Sequence, residues 1–156
     1  MNPNGTRSMS GTGYLLVRVS TAQGAIPVLG ATVTVRDGGG TEADGTRGNI
    51  IRVLTTDRDG RTERLALAAP PKSDSAAPNG VVPYANYNID VEAPGFYRLF
   101  FSAVPVYDTI TSIQPALLIP IPQNGNQDGV SDEDSYIEES VNPALRERPV
   151  NPRGEA

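Results

Sequence analysis

Hydrophobic positions along this chain recur mostly at every second residue. In YLLVRVST, from Tyr14 to Thr21, the residues Leu15, Val17 and Val19 fall on one side of an extended segment, the period-two signature of a half-buried strand. ATVTVR repeats the pattern with Ala31, Val33 and Val35, and YNIDVE repeats it with Tyr87, Ile89 and Val91 against Asn88, Asp90 and Glu92. Asn49 to Thr56 and Arg61 to Leu67 read as two further strands, the second with Leu65 and Leu67 on its buried face and Glu63 on that face nearer the turn. Tyr97 to Val106 and Ile110 to Ile119 supply the last two, with Pro105, Pro115 and Pro120 at edges or bulges.

The joints between these runs are turn-forming. DGGGTEADGTRG, from Asp37 to Gly48, is a hairpin loop, Asp57-Arg-Asp-Gly60 is a tight hairpin turn with a positive-φ glycine, and Ala68 to Pro83 is a proline-rich crossover. No helical period lasts beyond two turns, which excludes parallel α/β architectures. The prediction is an all-β, seven-stranded antiparallel two-sheet sandwich over residues 13–121, preceded by a flexible arm (1–12) and followed by an acidic, proline-containing tail (122–156). Within the tail, Ser135 to Glu139 reads as one short helical segment.

Composition narrows the chemistry. The chain of 156 residues has 16 glycines, 14 prolines and neither cysteine nor histidine. Disulfides, thiolate metal sites, Ser-His and Cys-His nucleophile pairs and the imidazole general base are therefore unavailable. The net charge of -5 resides in the tail: residues 1–122 balance basic against acidic side chains, and residues 123–156 carry the excess of acids. A neutral body without a basic stripe argues against nucleic acid. No apolar run follows the N-terminal arginine, and none is long enough for a membrane span. The expectation is thus a soluble chain without a signal peptide, cytoplasmic as made or carried into a spore, envelope or extracellular assembly.

Several clusters invite chemistry. Asn124, Asn126, Asp128 and Asp132, with Gly129 between them, have the oxygen-ligand spacing of a calcium loop, although position 1 is Asn and position 12 is Ser135 in place of Glu. That pattern gives weak Ca2+ binding or an acidic linker. Asp57, Asp59 and Gly60 could hold a cation, but Arg58, Arg61 and Arg64 neutralise them and turn chemistry suffices. Asp90 and Glu92 lie side by side on one strand face, whereas glycoside cleavage needs carboxyls on opposing walls. Lys72, with Ser73 and Ser75, sits in a proline-rich loop that offers nothing to desolvate it. The aromatics cluster late, and Tyr84, Phe96, Tyr97, Tyr107, Tyr136 and Ile137 are the candidate contact residues, for sugars or for a neighbouring subunit.

The turn TTDRDGRT, with Thr56, Asp57 and Gly60, followed by Tyr87, Val91, Gly95 and Phe96 in YNIDVEAPGFY, resembles the carboxypeptidase regulatory-like, or transthyretin-like, family of sandwiches. LAAPP ending at Pro71, PYANYNIDVEAPGFY from Pro83 to Tyr97 and SIQPALLIP from Ser112 to Pro120 are more narrowly similar to the N-terminal domain of clostridial-type spore cortex-lytic enzymes. The peptidoglycan-cleaving domain of those enzymes has no counterpart in this sequence. The resemblance implies a non-enzymatic structural or protein-interaction module of a bacterial assembly, self-associating or bound to a protein partner. The alternative it implies is a carbohydrate- or peptidoglycan-binding accessory domain.

Overall fold

A computed structural model of the chain describes residues 8–39, 47–73, 83–122 and 136–140. Nine strands run through them: β1 (Gly11–Thr21), β2 (Ile26–Pro27), β3 (Thr32–Asp37), β4 (Ile50–Thr55), β5 (Leu65–Ala69), β6 (Ala85–Glu92), β7 (Arg98–Val106), β8 (Thr111–Leu117) and β9 (Tyr136–Ser140). A 3-10 turn, Ala22–Gly24, lies between β1 and β2. They form a two-layer sandwich. In sheet A, β1 is central, flanked on one edge by β5 and β2 and on the other by β8, while sheet B runs β4-β3-β6-β7-β9.

Pairing is antiparallel except at two places, where β8 runs parallel to β1 and β9 parallel to β7. The period-two residues do what their spacing predicts. Leu15, Val17 and Val19 from sheet A meet Val33, Val35, Ile89 and Val91 from sheet B, and Phe101, Val104 and Leu118 are among the residues that join them in the core. This burial of aliphatic faces from both layers is the main source of stability.

Four local expectations change. The Asp57–Gly60 turn carries its positive φ at Gly60, but it joins β4 of sheet B to β5 of sheet A, so it crosses between layers and closes no hairpin. Only Leu65–Ala69 is regular strand, Arg61 contributing an isolated bridge to Arg18, and Glu63 lies exposed beside Arg52 at 3.5 Å. Where Ser135 to Glu139 was expected to be helical, residues 136–140 form β9, because the open edge of β7 offers Tyr-Ile a strand partner. Among the described residues the strands number nine, β2 and β9 being additions at sheet edges.

The β6–β7 ladder holds a bulge opposite Asn88. There Ala103 adopts a φ of 57°, and the buried Asn88 side chain accepts the Ala103 N–H at 3.0 Å, replacing the lost ladder bond. At the same end of the sandwich, the glycines at the start of β1 allow close approach. A Cβ on Gly13 would stand 2.3 Å from the Tyr107 carbonyl oxygen.

Candidate functional site

Of the carboxylates singled out from sequence, Asp57, Asp90 and Glu92 are engaged within the fold. Asp57 Oδ1 accepts the N–H groups of Asp59 at 2.9 Å and Arg61 at 3.0 Å, so it shapes the turn. Asp90 takes Arg36 Nε at 2.7 Å and Arg47 Nη1 at 3.3 Å, while Glu92 takes Arg98 Nε at 2.8 Å. Both lie on the outer face of sheet B. Asn124, Asn126, Asp128 and Asp132 lie outside the described residues. Among the described residues, no three acidic side chains gather to hold a metal ion.

Asp108 serves as a clip. Its carboxylate accepts the Lys72 N–H at 2.9 Å and the Thr12 N–H at 3.0 Å, tying the β7–β8 turn to the start of β1 and to the segment after β5. The Lys72 N–H, joined by Thr12, holds this carboxyl below its ordinary pKa against a smaller desolvation effect. A depressed folded-state pKa contributes stability above the unfolded value and loses it as pH falls through the folded one. Acid titration of unfolding below about pH 4 is therefore expected to show a shallower loss of stability in Asp108→Asn than in the parent chain. Equal slopes would show that the clip does not respond to protonation.

The candidate contact aromatics separate to two ends of sheet B. Tyr84 and Tyr107 meet where β6 begins and β7 ends, their ring centroids 5.8 Å apart and tilted by 57°. Phe96 and Tyr97 lie at the opposite end, in the β6–β7 connection, where Phe96 packs on the core and the Tyr97 N–H bonds to Ile119 at 2.9 Å. Tyr136 and Ile137 stand in register with Arg98 and Leu99. The four whose side chains are described, Tyr84, Phe96, Tyr97 and Tyr107, make no single patch.

The outer face of sheet A does. β8 and the residue after it turn Gln114, Ala116 and Leu118 inward and Ile113, Pro115 and Leu117 outward, so Gln114 is 7% exposed while Ile113 is 64% and Leu117 46% exposed. The buried amide is satisfied locally, Nε2 donating to the Pro115 carbonyl at 2.8 Å. In register beside Ile113 is Leu16, and beside Pro115 is Arg18. Arg61 bridges Arg18 from the other side, and Arg64 lies 4.2 Å over the Tyr14 ring. The face is thus aliphatic with an arginine margin.

Neither Ile113 nor Leu117 stands out in SIQPALLIP, because apolar residues occupy both phases of that run. The one available signal is Gln114, which shares the phase of Ala116 and Leu118. Of the sheet edges, β8 is interrupted by Pro115, whose missing N–H faces away from β1, as the ladder bond from Leu118 N–H to Ser20 fixes the alternation. β4 carries exposed Ile50, Ile51 and Val53 on an edge with no strand partner among the described residues.

No family model and no curated protein matches this chain. Among solved structures, a catechol 1,2-dioxygenase from Acinetobacter is 13% identical with a TM-score of 0.49 over 88% of this chain. A minor pilin of Streptococcus agalactiae is 14% identical with a TM-score of 0.46 over 73%, and the Bacillus anthracis TIE protein 14% identical with a TM-score of 0.45 over 71%. This chain spans 60%, 47% and 17% of those three chains, respectively.

Proposed function

We propose that this chain is a non-enzymatic protein-interaction module that associates with itself or with a bacterial assembly through the outer face of sheet A. The observation that carries the reading is the phase of β8. A strand serving only its own core would turn Ile113 and Leu117 inward and leave Gln114 in water. Here the amide is buried and the aliphatics are outside, which makes sense if a second surface covers them. Covering each aliphatic fully would contribute about 1.5–3 kcal/mol, enough for a few such residues to hold a weak complex.

Light scattering on a size-exclusion column tests this. The parent chain is expected to gain mass with concentration, and the double substitution Ile113→Asp with Leu117→Asp to remain monomeric while keeping its circular dichroism. A parent chain that stays monomeric and captures no partner from its native lysate would count decisively against the module. The second reading, a peptidoglycan-binding accessory domain of a spore-wall lytic system, draws on the half-buried Tyr84–Tyr107 pair and on the narrow sequence resemblance. It calls for cosedimentation with purified cortex that Ile113→Asp with Leu117→Asp leaves intact.

A further inference from the structure

We infer that the outer face of sheet A receives the acidic C-terminal segment, residues 123–139, of a second copy of this chain. This deepens the self-association reading and rests on it. The starting point is a pair of arginines. Arg18 and Arg61 stand directly opposite each other across an isolated bridge, on the same outward face, where like charges repel. Both are exposed, and among the described residues neither forms an ion pair. Asp59 borders the same hollow without pairing with either of them.

Sheet B provides the contrast. Arg36 and Arg47 hold Asp90, Arg98 holds Glu92, and Arg52 reaches Glu63. The strands of sheet A add no carboxylate, because β1, β5 and β8 contain no Asp or Glu, and Glu63, between Arg61 and Arg64 in sequence, reaches Arg52 of sheet B. With Arg64 on Tyr14, three arginines line a face whose centre is Leu16, Ile113 and Leu117. An occupant that fits must bring carboxylates and aliphatic side chains together. A polypeptide does so, whereas a nucleic acid or polysaccharide would bring nothing to cover Ile113 and Leu117.

The chain contains such a segment. Residues 123–139 hold six acids, no lysine or arginine, and the apolar Val130, Tyr136 and Ile137, whereas residues 1–122 are balanced in charge. Within one copy, the end of this segment enters β9, seated on β7 in sheet B, the layer opposite the arginine face. A second copy is therefore the source the fold favours. Such a contact joins two different surfaces, so it propagates head to tail into an open chain of subunits unless its rotation closes a ring.

A charge-exchange experiment on the full chain tests it. Arg18→Glu with Arg61→Glu, and separately Asp132→Arg with Glu133→Arg and Asp134→Arg, are each expected to weaken self-association about tenfold or more, read by light scattering at low salt. Both sets of positions carry charged side chains already, and circular dichroism confirms folding in each variant. Mixing the two variants restores opposite charges at every contact and is expected to restore the mass, with added salt reducing it in the parent chain. Association that both reversals leave unchanged, while Ile113→Asp with Leu117→Asp abolishes it, would overturn this contact and leave the interaction module standing. Failure of the mixture to recover mass, or mass that never depends on concentration, would also overturn it.

Discussion

Gly60→Ala is expected to lower the unfolding free energy by about 3 kcal/mol, seen as a fall in the urea midpoint at unchanged slope. Two effects combine. Gly60 has a φ of 72°, where an L side chain costs about 1–2 kcal/mol. A Cβ there would also stand 2.2 Å from the Val19 carbonyl oxygen and 3.1 Å from Pro27 Cβ, and overpacking of this kind adds about 1–3 kcal/mol. The oxygen cannot retreat freely, because it accepts the Val28 N–H at 3.0 Å and so fixes the β1–β2 corner. Gly95 separates the two effects. Its φ is 83°, yet nothing lies within 4 Å of the added atom, so Gly95→Ala is expected to show the backbone cost alone. Equal losses in the two variants would remove the close approach as a cause.

Thr56→Val is expected to cost about 2–3 kcal/mol, although it preserves shape and sits in a turn. The Thr56 hydroxyl accepts the Ala31 N–H at 2.9 Å and donates to the Val28 carbonyl at 2.7 Å. Thr62, across the same turn, accepts the Val17 N–H at 3.0 Å. The two buried threonines flank the point where the chain leaves sheet B for sheet A, and their hydroxyls replace ladder bonds that neither sheet can supply. Valine leaves the buried Ala31 N–H without its acceptor, and the cost is that of an unmade bond. Thr55 points to solvent, so Thr55→Val is expected to stay within about 0.5 kcal/mol. If chemical denaturation finds the two substitutions alike, the hydroxyl of Thr56 has no structural role.

Where one phase of a strand was wholly apolar and the other carried polar residues, the sequence was sufficient. Leu15, Val17 and Val19, like Tyr87, Ile89 and Val91, could be assigned to the core by alternation alone. Asp57 and Gly60 were likewise legible as a turn, because their chemistry is local. The face of sheet A was not legible, for a physical reason. Ile113, Ala116, Leu117 and Leu118 occupy both phases of the run that forms β8 and its end, and the choice between them is made by parallel pairing with β1, a partner far away in sequence. The Arg18–Arg61 juxtaposition also depends on a bridge between distant segments. The strand at Tyr136–Ser140 escaped notice because it depends on a vacant edge elsewhere in the molecule.

The parallel pairing of β1 with β8 bears on how the molecule is made. Tyr14 waits for Thr111 and Ser20 for Leu117, partners that follow it by roughly a hundred residues. At about 5–20 residues per second of synthesis, the central strand of sheet A stands for seconds beside a missing neighbour. Its open side then shows Leu16 and Arg18 along an unpaired backbone, the arrangement most prone to capture by another nascent chain. Sheet A can be completed only after Leu117 has emerged, so a ribosome-bound fragment ending earlier holds its first-made strand in a state open to misassembly.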